Sequence, residues 1–190
     1  MRENLFLGLG GNLGDVRENF RVSIRGFVAN PHFEIHKISA AYRTAALTVA
    51  GIDSAKPNYW NIVLMLSSDL EVNELLGFCQ TLETQSGRIR TDERWISRTL
   101  DIDILAWDSV RHESERLTIP HARCLERCFV LAPWAELCED FVVPTKSDSA
   151  TSVGEAWKLL RNSVEPQASI LEVDESWLDK RTFGEACSRF

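Results

Sequence analysis

Arg98-Thr99-Leu100-Asp101-Ile102-Asp103-Ile104-Leu105 is a run of large apolar and β-branched residues interrupted by two carboxylates one residue apart. Such a run reads as a β-strand. Alternate side chains of a strand share a face, so Asp101 and Asp103 point one way and Ile102 and Ile104 the other. Two adjacent carboxylates repel each other and resist burial. A hard divalent cation removes that conflict, and Mg²⁺ takes one or two carboxylates while filling its shell with water and phosphate oxygens. Just upstream, Arg88, Arg90, Arg94 and Arg98 crowd with Trp95 into GRIRTDERWISR. Guanidinium groups suit phosphate oxygens, and an indole can stack on a base or cover a site. A D-x-D pair alone is a weak signal, and as a solvated face it would mean nothing. Following an arginine cluster, it points to phosphoryl or nucleotidyl transfer.

Working outward, the hydrophobic pattern alternates between strand and helix. Asn4 to Gly10 is expected to be a strand and Asp15 to Ala29 a helix, with Val16, Phe20, Ile24, Phe27 and Val28 on its apolar face. Phe33 to Tyr42 reads as a strand, Thr44 to Asn58 as a loop, and Tyr59 to Ser67 as a strongly apolar strand. Val72 to Gln85 reads as a helix stopped by Gly87. With the Asp101 strand, this gives an α+β, ferredoxin-like βαββαβ core: an antiparallel sheet with helices packed on one face, plus a C-terminal extension. Pro120 to Leu137 should add helical or turn-rich cover, and Thr151 or Ser152 should cap a short helix reaching Leu160. The expected organisation is one domain over 1–162. A tail over 163–190 would follow, docking Trp177, Leu178 and Phe183 on the domain or a neighbour without a part in the chemistry.

The chain has 190 residues, enough for one well-buried domain and too few for two ordinary ones. A net charge of −7 argues against a general nucleic-acid or membrane-surface binder, so no nucleic acid and no membrane are expected as partners. The local basic loop fits a small anionic ligand better than a long polyanion. Five cysteines without a C-x-x-C suit reduced thiols. With no signal-peptide pattern at the start, the expected location is cytoplasmic, and the expected state is a monomer. Cys124 and Cys128, with His121 one turn earlier, would share a face if helical, but ordinary buried thiols are the better reading.

Two other stretches carry possible chemistry. Gly8-Leu9-Gly10-Gly11-Asn12-Leu13-Gly14-Asp15 lacks the spacing of a dinucleotide fingerprint and the Lys-Ser/Thr of a P-loop, so alone it reads as a tight turn. Tyr59 and Phe129 could sandwich a flat ring whose polar edge meets Asn61, although core packing explains either aromatic alone. Asn61 is the most telling, because an amide inside an apolar strand needs partners.

Five ordered segments carry a family resemblance: LGLGGNLGD, SAAYRTAAL, KPNYWNIVLML, GRIRTDERWISRTLDIDIL and RLTIPHARCLERCFVLAPWAEL. Together, from about Leu5 to Leu137, they resemble the 6-hydroxymethyl-7,8-dihydropterin pyrophosphokinases of folate biosynthesis. The resemblance implies transfer of diphosphate from ATP to the hydroxymethyl oxygen of a reduced pterin. It implies two Mg²⁺ ions on Asp101 and Asp103, with Arg88 and Arg98 acting on the transferred group. It places Leu76, Gln80, Arg90, Arg94, Trp95, Ile104, Arg116, Leu117, Thr118, His121 and Arg127 around ATP. The pterin would meet Gly10, Thr44, Ala45, Leu47, Tyr59, Asn61 and Phe129. Glu83 would orient an arginine.

The chain departs from the family pattern in several places. Gly11 stands where a serine is usual, Ile96-Ser97 where Gly-Pro is usual, and Ala122 follows the histidine. The pterin-side loop also lacks its usual T-x-P-x-G. Two rival readings remain open on the residues: a metal-dependent transferase acting on another alcohol, and a ferredoxin-like RNA-binding module.

Overall fold

Seven residues from Leu5 to Gly11 form β1, and their alternation is the key to the architecture: Leu5, Leu7 and Leu9 pack toward one side of a sheet, and Phe6 toward the other. The computed structural model describes residues 3–48, 51–88, 96–108, 110–144, 151–163 and 170–178. After β1, Asp15 caps helix α1 (Val16–Ala29) by accepting the Glu18 N–H at 3.0 Å. Its buried Val16, Phe20, Ile24 and Phe27 recur at helical spacing. Then come β2 (Phe33–Ile38), β3 (Ala41–Thr44), the small hairpin β4 (Leu47–Thr48) and β5 (Gly51–Ile52), and the long β6 (Tyr59–Ser68). Helix α2 (Val72–Gln85) is fixed at its start by a reciprocal Glu71–Glu74 capping box. Strand β7 (Asp101–Trp107), the hairpin β8 (His112–Glu113) and β9 (Thr118–Ile119), and a 3₁₀ turn at Cys124–Glu126 lead to α3 (Cys128–Cys138). The remaining described elements are β10 (Val142–Val143), β11 (Thr151–Ser152), α4 (Val153–Asn162) and β12 (Ile170–Asp174).

The main sheet runs β12-β3-β6-β1-β7, with β2 also on β6, and every pairing is antiparallel. This is the ferredoxin-like order expected from βαββαβ. The core helices α1 and α2 bury Phe20, Phe27, Leu75 and Leu82 against Leu5, Leu7, Leu9, Ile62 and Ile104 on one face. On the opposite face, α3 and α4 cover Phe6, Val63 and Leu105. There Phe6 lies 5.2 Å from Trp134 and 4.6 Å from Phe141, ring to ring. No helix among the described residues is long and apolar enough to cross a membrane.

Several expectations about local structure need correction. The strand quoted at the outset starts at Asp101, because the Arg98 carbonyl is taken by the N–H groups of Asn12 and Leu13 at 2.9 and 3.1 Å. The stretch Phe33 to Tyr42 is two strands rather than one. At the break, the Ser39 hydroxyl accepts the Val63 N–H and donates to the Ala40 carbonyl, replacing ladder bonds with side-chain ones. The Thr44 to Asn58 loop holds a hairpin. Cys124 and Cys128 lie in a 3₁₀ turn and a separate helix. Strand β1 keeps Gly8 and Gly10 as expected and runs one residue further, through Gly11, so that the turn falls at Gly14 (φ 68°). The tail supplies β12, a strand of the main sheet.

Because Phe6 is fully buried at the centre of the second apolar layer, Phe6→Ala should cost about 3–5 kcal/mol. Urea unfolding followed by tryptophan fluorescence checks this. A loss below about 1 kcal/mol, the scale of a surface change, would mean that this layer contributes little to the fold.

Candidate active site

The register of β6, β1 and β7 builds the site. Gly10 pairs with Asn61 on one side and Asp101 on the other, and Gly8 pairs with Val63 and Asp103. Directly opposed residues of antiparallel strands share a face. Asn61, Asp101 and Asp103 therefore rise from the same side of the sheet, the side that carries Phe6 and Leu105 further along. Between them lies Gly10. A Cβ there would come within 3.0 Å of Asn61 Oδ1. The glycine is a floor without a side chain, which explains a residue type otherwise poor in a strand.

Gly11 has a related and stricter reason. A Cβ at this position would stand 2.5 Å from the Thr99 carbonyl oxygen, a backbone atom that cannot step aside alone. Its glycine serves the close approach of β1 to the chain entering β7.

On the Asp side, a cleft of about 380 Å³ is lined by Leu76 and Gln80 of α2, Asp101, Asp103 and Ile104 of β7, and Arg116, Leu117, Thr118 and His121 beyond it. Arg88 and Glu83 also reach this cleft. Seven of the sequence-predicted nucleotide residues are thus brought together. Arg127, from the turn before α3, comes to 4.0 Å from Asp103. Arg90, Arg94 and Trp95 lie outside the described residues.

The charges interlock. Arg88 is ion-paired with both Glu83 and Asp101, and Arg98 with the other oxygen of Asp101. Glu83, only 3 % exposed, also accepts the Ile102 N–H at 2.9 Å, the amide between the two aspartates. Burial alone would lower the Arg98 value, but Asp101 and Tyr59 outweigh it and raise it. Burial, then the neighbouring Asp101 charge, pushes the Asp103 carboxyl up to about 6. For Arg127 burial dominates and lowers its value, with Asp103 opposing.

His121 is also lowered, by burial first and then by Arg127 and Arg123, which favours the neutral ring. Its Nδ1 lies 3.1 Å from the Arg123 N–H and acts as acceptor, which assigns the remaining proton to Nε2. Among the described residues no group of three or more His, Cys, Asp or Glu side chains could hold a metal ion. Asp101 and Asp103 are two hard oxygen ligands in a cleft otherwise lined by cationic groups. That donor set fits Mg²⁺ sharing its shell with phosphate and water, and does not fit a closed zinc centre.

At the other end, Asn61 Nδ2 donates to Thr44 Oγ1 at 3.1 Å, and both side chains are buried. Tyr59, whose phenol burial raises, lies with its hydroxyl 3.4 Å from the Ile96 carbonyl. Ala45 leads into the β4–β5 hairpin, where Leu47 pairs with Ile52. Phe129 stands at the start of α3, with the Arg127 guanidinium 5.6 Å from its ring centre.

Sequence reasoning missed Asn12. This residue, 5 % exposed, donates to the Pro57 carbonyl at 3.1 Å and Ser97 Oγ at 3.0 Å, and accepts the Arg98 N–H at 2.9 Å. It ties three loops at the rim of the site. The only signal for it was a lone asparagine after glycines, a pattern shared with countless turns.

The description "7,8-dihydro-6-hydroxymethylpterin-pyrophosphokinase (HPPK)" belongs to the family model that matches residues 6–139. Three bacterial proteins named 2-amino-4-hydroxy-6-hydroxymethyldihydropteridine pyrophosphokinase are similar to this chain. That of Methylorubrum extorquens is 34 % identical over 138 residues, 73 % of this chain and 84 % of the relative. That of Synechocystis is 37 % identical over 138 residues, covering 73 % and 68 %. That of Bacillus subtilis is 33 % identical over 159 residues, covering 83 % and 92 %. Among solved structures, the wild-type HPPK-DHPS of Plasmodium falciparum matches 84 % of this chain with a TM-score of 0.57 at 10 % identity, a likeness of fold. The chain spans less than half of that longer protein, 41 % of its length.

Two tests follow from this geometry. Gly11→Ala should cost about 1–3 kcal/mol, since the Thr99 backbone must shift to admit the methyl group; a stability equal to wild type in urea unfolding would contradict the close approach. Asp103, with its value raised in the fold, adds stability when protonated, and that contribution is lost as pH rises from about 4 through about 6. Its side chain remains 37 % exposed, so solvent screens much of the effect, and Asp103→Asn should gain about 1 kcal/mol over wild type at pH 8. Measured in EDTA, the gain should vanish near pH 4. A difference that does not change with pH would contradict the assigned burial.

Proposed function

The chain belongs to the 7,8-dihydro-6-hydroxymethylpterin-pyrophosphokinase family, and from that premise we propose that it transfers the β,γ-diphosphoryl group of ATP to 6-hydroxymethyl-7,8-dihydropterin. The products are AMP and the pterin diphosphate, which makes this a step of folate biosynthesis. The observation that carries the reading is the row Asn61–Gly10–Asp101. It sets a buried amide suited to a heterocycle edge and a carboxylate suited to a phosphate-bound cation on one sheet face, across a residue without a side chain.

In the reaction the pterin oxygen forms a bond to the β-phosphorus and the bridge from the α-phosphate breaks. The hydroxyl proton leaves to solvent. When bound, Mg²⁺ (two ions in this reading) neutralises the triphosphate and makes the β-phosphorus more electrophilic. Asp101 and Asp103 would hold it. Arg88 and Arg98 now satisfy Asp101, and phosphate oxygens in the cleft offer them alternative partners on the transferred group. Neutral His121 presents an Nε2–H to ATP, and Arg127 and Arg116 add positive charge nearby. Leu76, Gln80, Ile104, Leu117 and Thr118 line the nucleotide end. Arg90, Arg94 and Trp95 are assigned to ATP by their sequence match.

For the pterin, the Asn61–Thr44 pair supplies polar edge contacts, with Ala45 and Leu47 beside it, and Tyr59 and Phe129 supply ring faces. Positioning of both substrates, rather than a protein nucleophile, carries the rate. The enzyme would act as a cytoplasmic monomer on small molecules.

The direct test is AMP release from ATP, Mg²⁺ and 6-hydroxymethyl-7,8-dihydropterin, compared with release when other alcohols replace the pterin. AMP release that depends on the pterin is expected, and pterin-independent release or none overturns the reading. In the same assay Asp101→Ala and Asp103→Ala should each lower kcat by roughly a hundredfold or more, the scale of a lost preorganised electrostatic contact. Their pterin KM should move much less. Near-normal turnover of either variant at saturating Mg²⁺ would remove these residues from the mechanism.

A further inference from the structure

Strand β3 supplies Thr44 to the pterin end of the site, yet it is only four residues long. Its inner side is paired with β6 through Tyr42↔Asn61, Arg43↔Trp60 and Thr44↔Tyr59. Its outer side is taken by β12, with Ile170↔Thr44, Glu172↔Arg43, Val173↔Tyr42 and Asp174↔Ala41. Without β12 this short strand would be an edge, held from one side alone. Edge strands this short are weakly fixed.

The tail is anchored far more firmly than its sequence suggests. Trp177 is 3 % exposed, packs edge-on against Phe20 of α1 with ring centres 5.8 Å apart, and donates from Nε1 to the Ser39 carbonyl at 3.1 Å. Its own carbonyl accepts from Arg21 at 2.5 Å. Ser39 is the residue that breaks β2 from β3, so the indole grips the point where β3 begins. Asp174 accepts from Arg17 Nη1 at 2.6 Å with only 13 % of its side chain exposed, and the Arg17 guanidinium sits 4.6 Å from the centre of the Trp60 ring. Glu172 pairs with Arg43 at 2.9 Å. Trp60 neighbours both Tyr59 and Asn61 on β6.

We infer that residues 170–178 are a positioning clasp for pterin recognition: they hold β3 against β6 so that Thr44 and Asn61 keep their paired geometry for the heterocycle. The tail therefore does more than dock. The inference rests on the pterin assignment made above. The nucleotide end is built from α2, β7 and the β8–β9 hairpin, none of which pairs with β3 or β12. Loosening the clasp should be felt at one substrate and spared at the other.

The experiment is steady-state kinetics of the full chain with each substrate varied. Trp177→Ala should raise the pterin KM by about tenfold, with the ATP KM and kcat held within about twofold. Trp177→Phe keeps the ring against Phe20 and should restore most of the pterin affinity. Asp174→Ala leaves the indole in place and should raise the pterin KM by about threefold, and it decides the matter if Trp177→Ala fails to fold. A lowered melting temperature with unchanged pterin KM overturns the clasp and leaves a merely structural tail. An equal rise in both KM values overturns it in favour of general loosening. Absence of pterin-dependent AMP from the wild-type chain overturns the activity itself, and the clasp with it.

Discussion

Everything at this site hangs on the antiparallel register that places Gly10 between Asn61 and Asp101. Adjacent strands lie about 4.8 Å apart, so Asn61 and Asp101 are rooted about 10 Å from each other, across two strand spacings. A one-residue slip of either neighbour would turn its functional group into the opposite apolar layer. The register is held by that layer, since Leu5, Leu7, Leu9, Ile62, Leu64 and Ile104 can be buried in only one phase. The packing of α1 and α2 thus fixes which side chains of β1, β6 and β7 rise on the opposite face, while α2 itself reaches the cleft at the sheet edge through Leu76, Gln80 and Glu83.

That other face is divided along its length. Phe6, Val63 and Leu105 make its apolar part beneath α3 and α4, while Gly8, Gly10, Asn61, Asp101 and Asp103 make its polar part. The polar part is close to neutral as it stands: Glu83, Asp101 and Asp103 face Arg88, Arg98 and Arg127. Such a balance tolerates partial burial. In the proposed reaction a triphosphate, adding about four negative charges, would upset it, and cations would enter with the ligand. The buried Glu83 matters in both states, because its bond to the Ile102 amide fixes the backbone between the two aspartates. The elevated Asp103 expresses the same tension, a carboxylate whose ionised form lacks a close partner.

Much of this was legible in the sequence for identifiable reasons. Asp101 and Asp103 alternate with isoleucines, α2 has a clear apolar stripe ended by Gly87, and the nucleotide residues sit near them in order. What the sequence hid was tertiary. The break between β2 and β3 depends on a Ser39 hydroxyl meeting Val63, and the late start of β7 depends on Asn12 and Leu13 reaching the Arg98 carbonyl. The pattern carried β1 only to Gly10, and periodicity cannot reveal that its glycines form a floor. The strand role of Ile170–Asp174 was hidden by the polar residues interspersed through it, and is settled by an exposed strand edge far away in sequence.

Asn12 shows how such hidden contacts make sense of a departure from family pattern. Where the family pattern that the chain resembles has Gly-Pro before the last loop arginine, this chain has Ile96-Ser97. Proline would stiffen the backbone there through its ring. Serine cannot do that, but its Oγ accepts from Asn12 Nδ2, while the Asn12 side chain also accepts the Arg98 N–H and donates to the Pro57 carbonyl. The Ile96 carbonyl meanwhile lies within reach of the Tyr59 hydroxyl. A hydrogen-bonded knot between three loops replaces covalent rigidity at the residue that delivers Arg98 to Asp101. Because these bonds lie in a half-buried rim, each is stronger than at an open surface and costly to leave unmade. The approach of the arginine is therefore tied through one amide to the loop that carries Pro57.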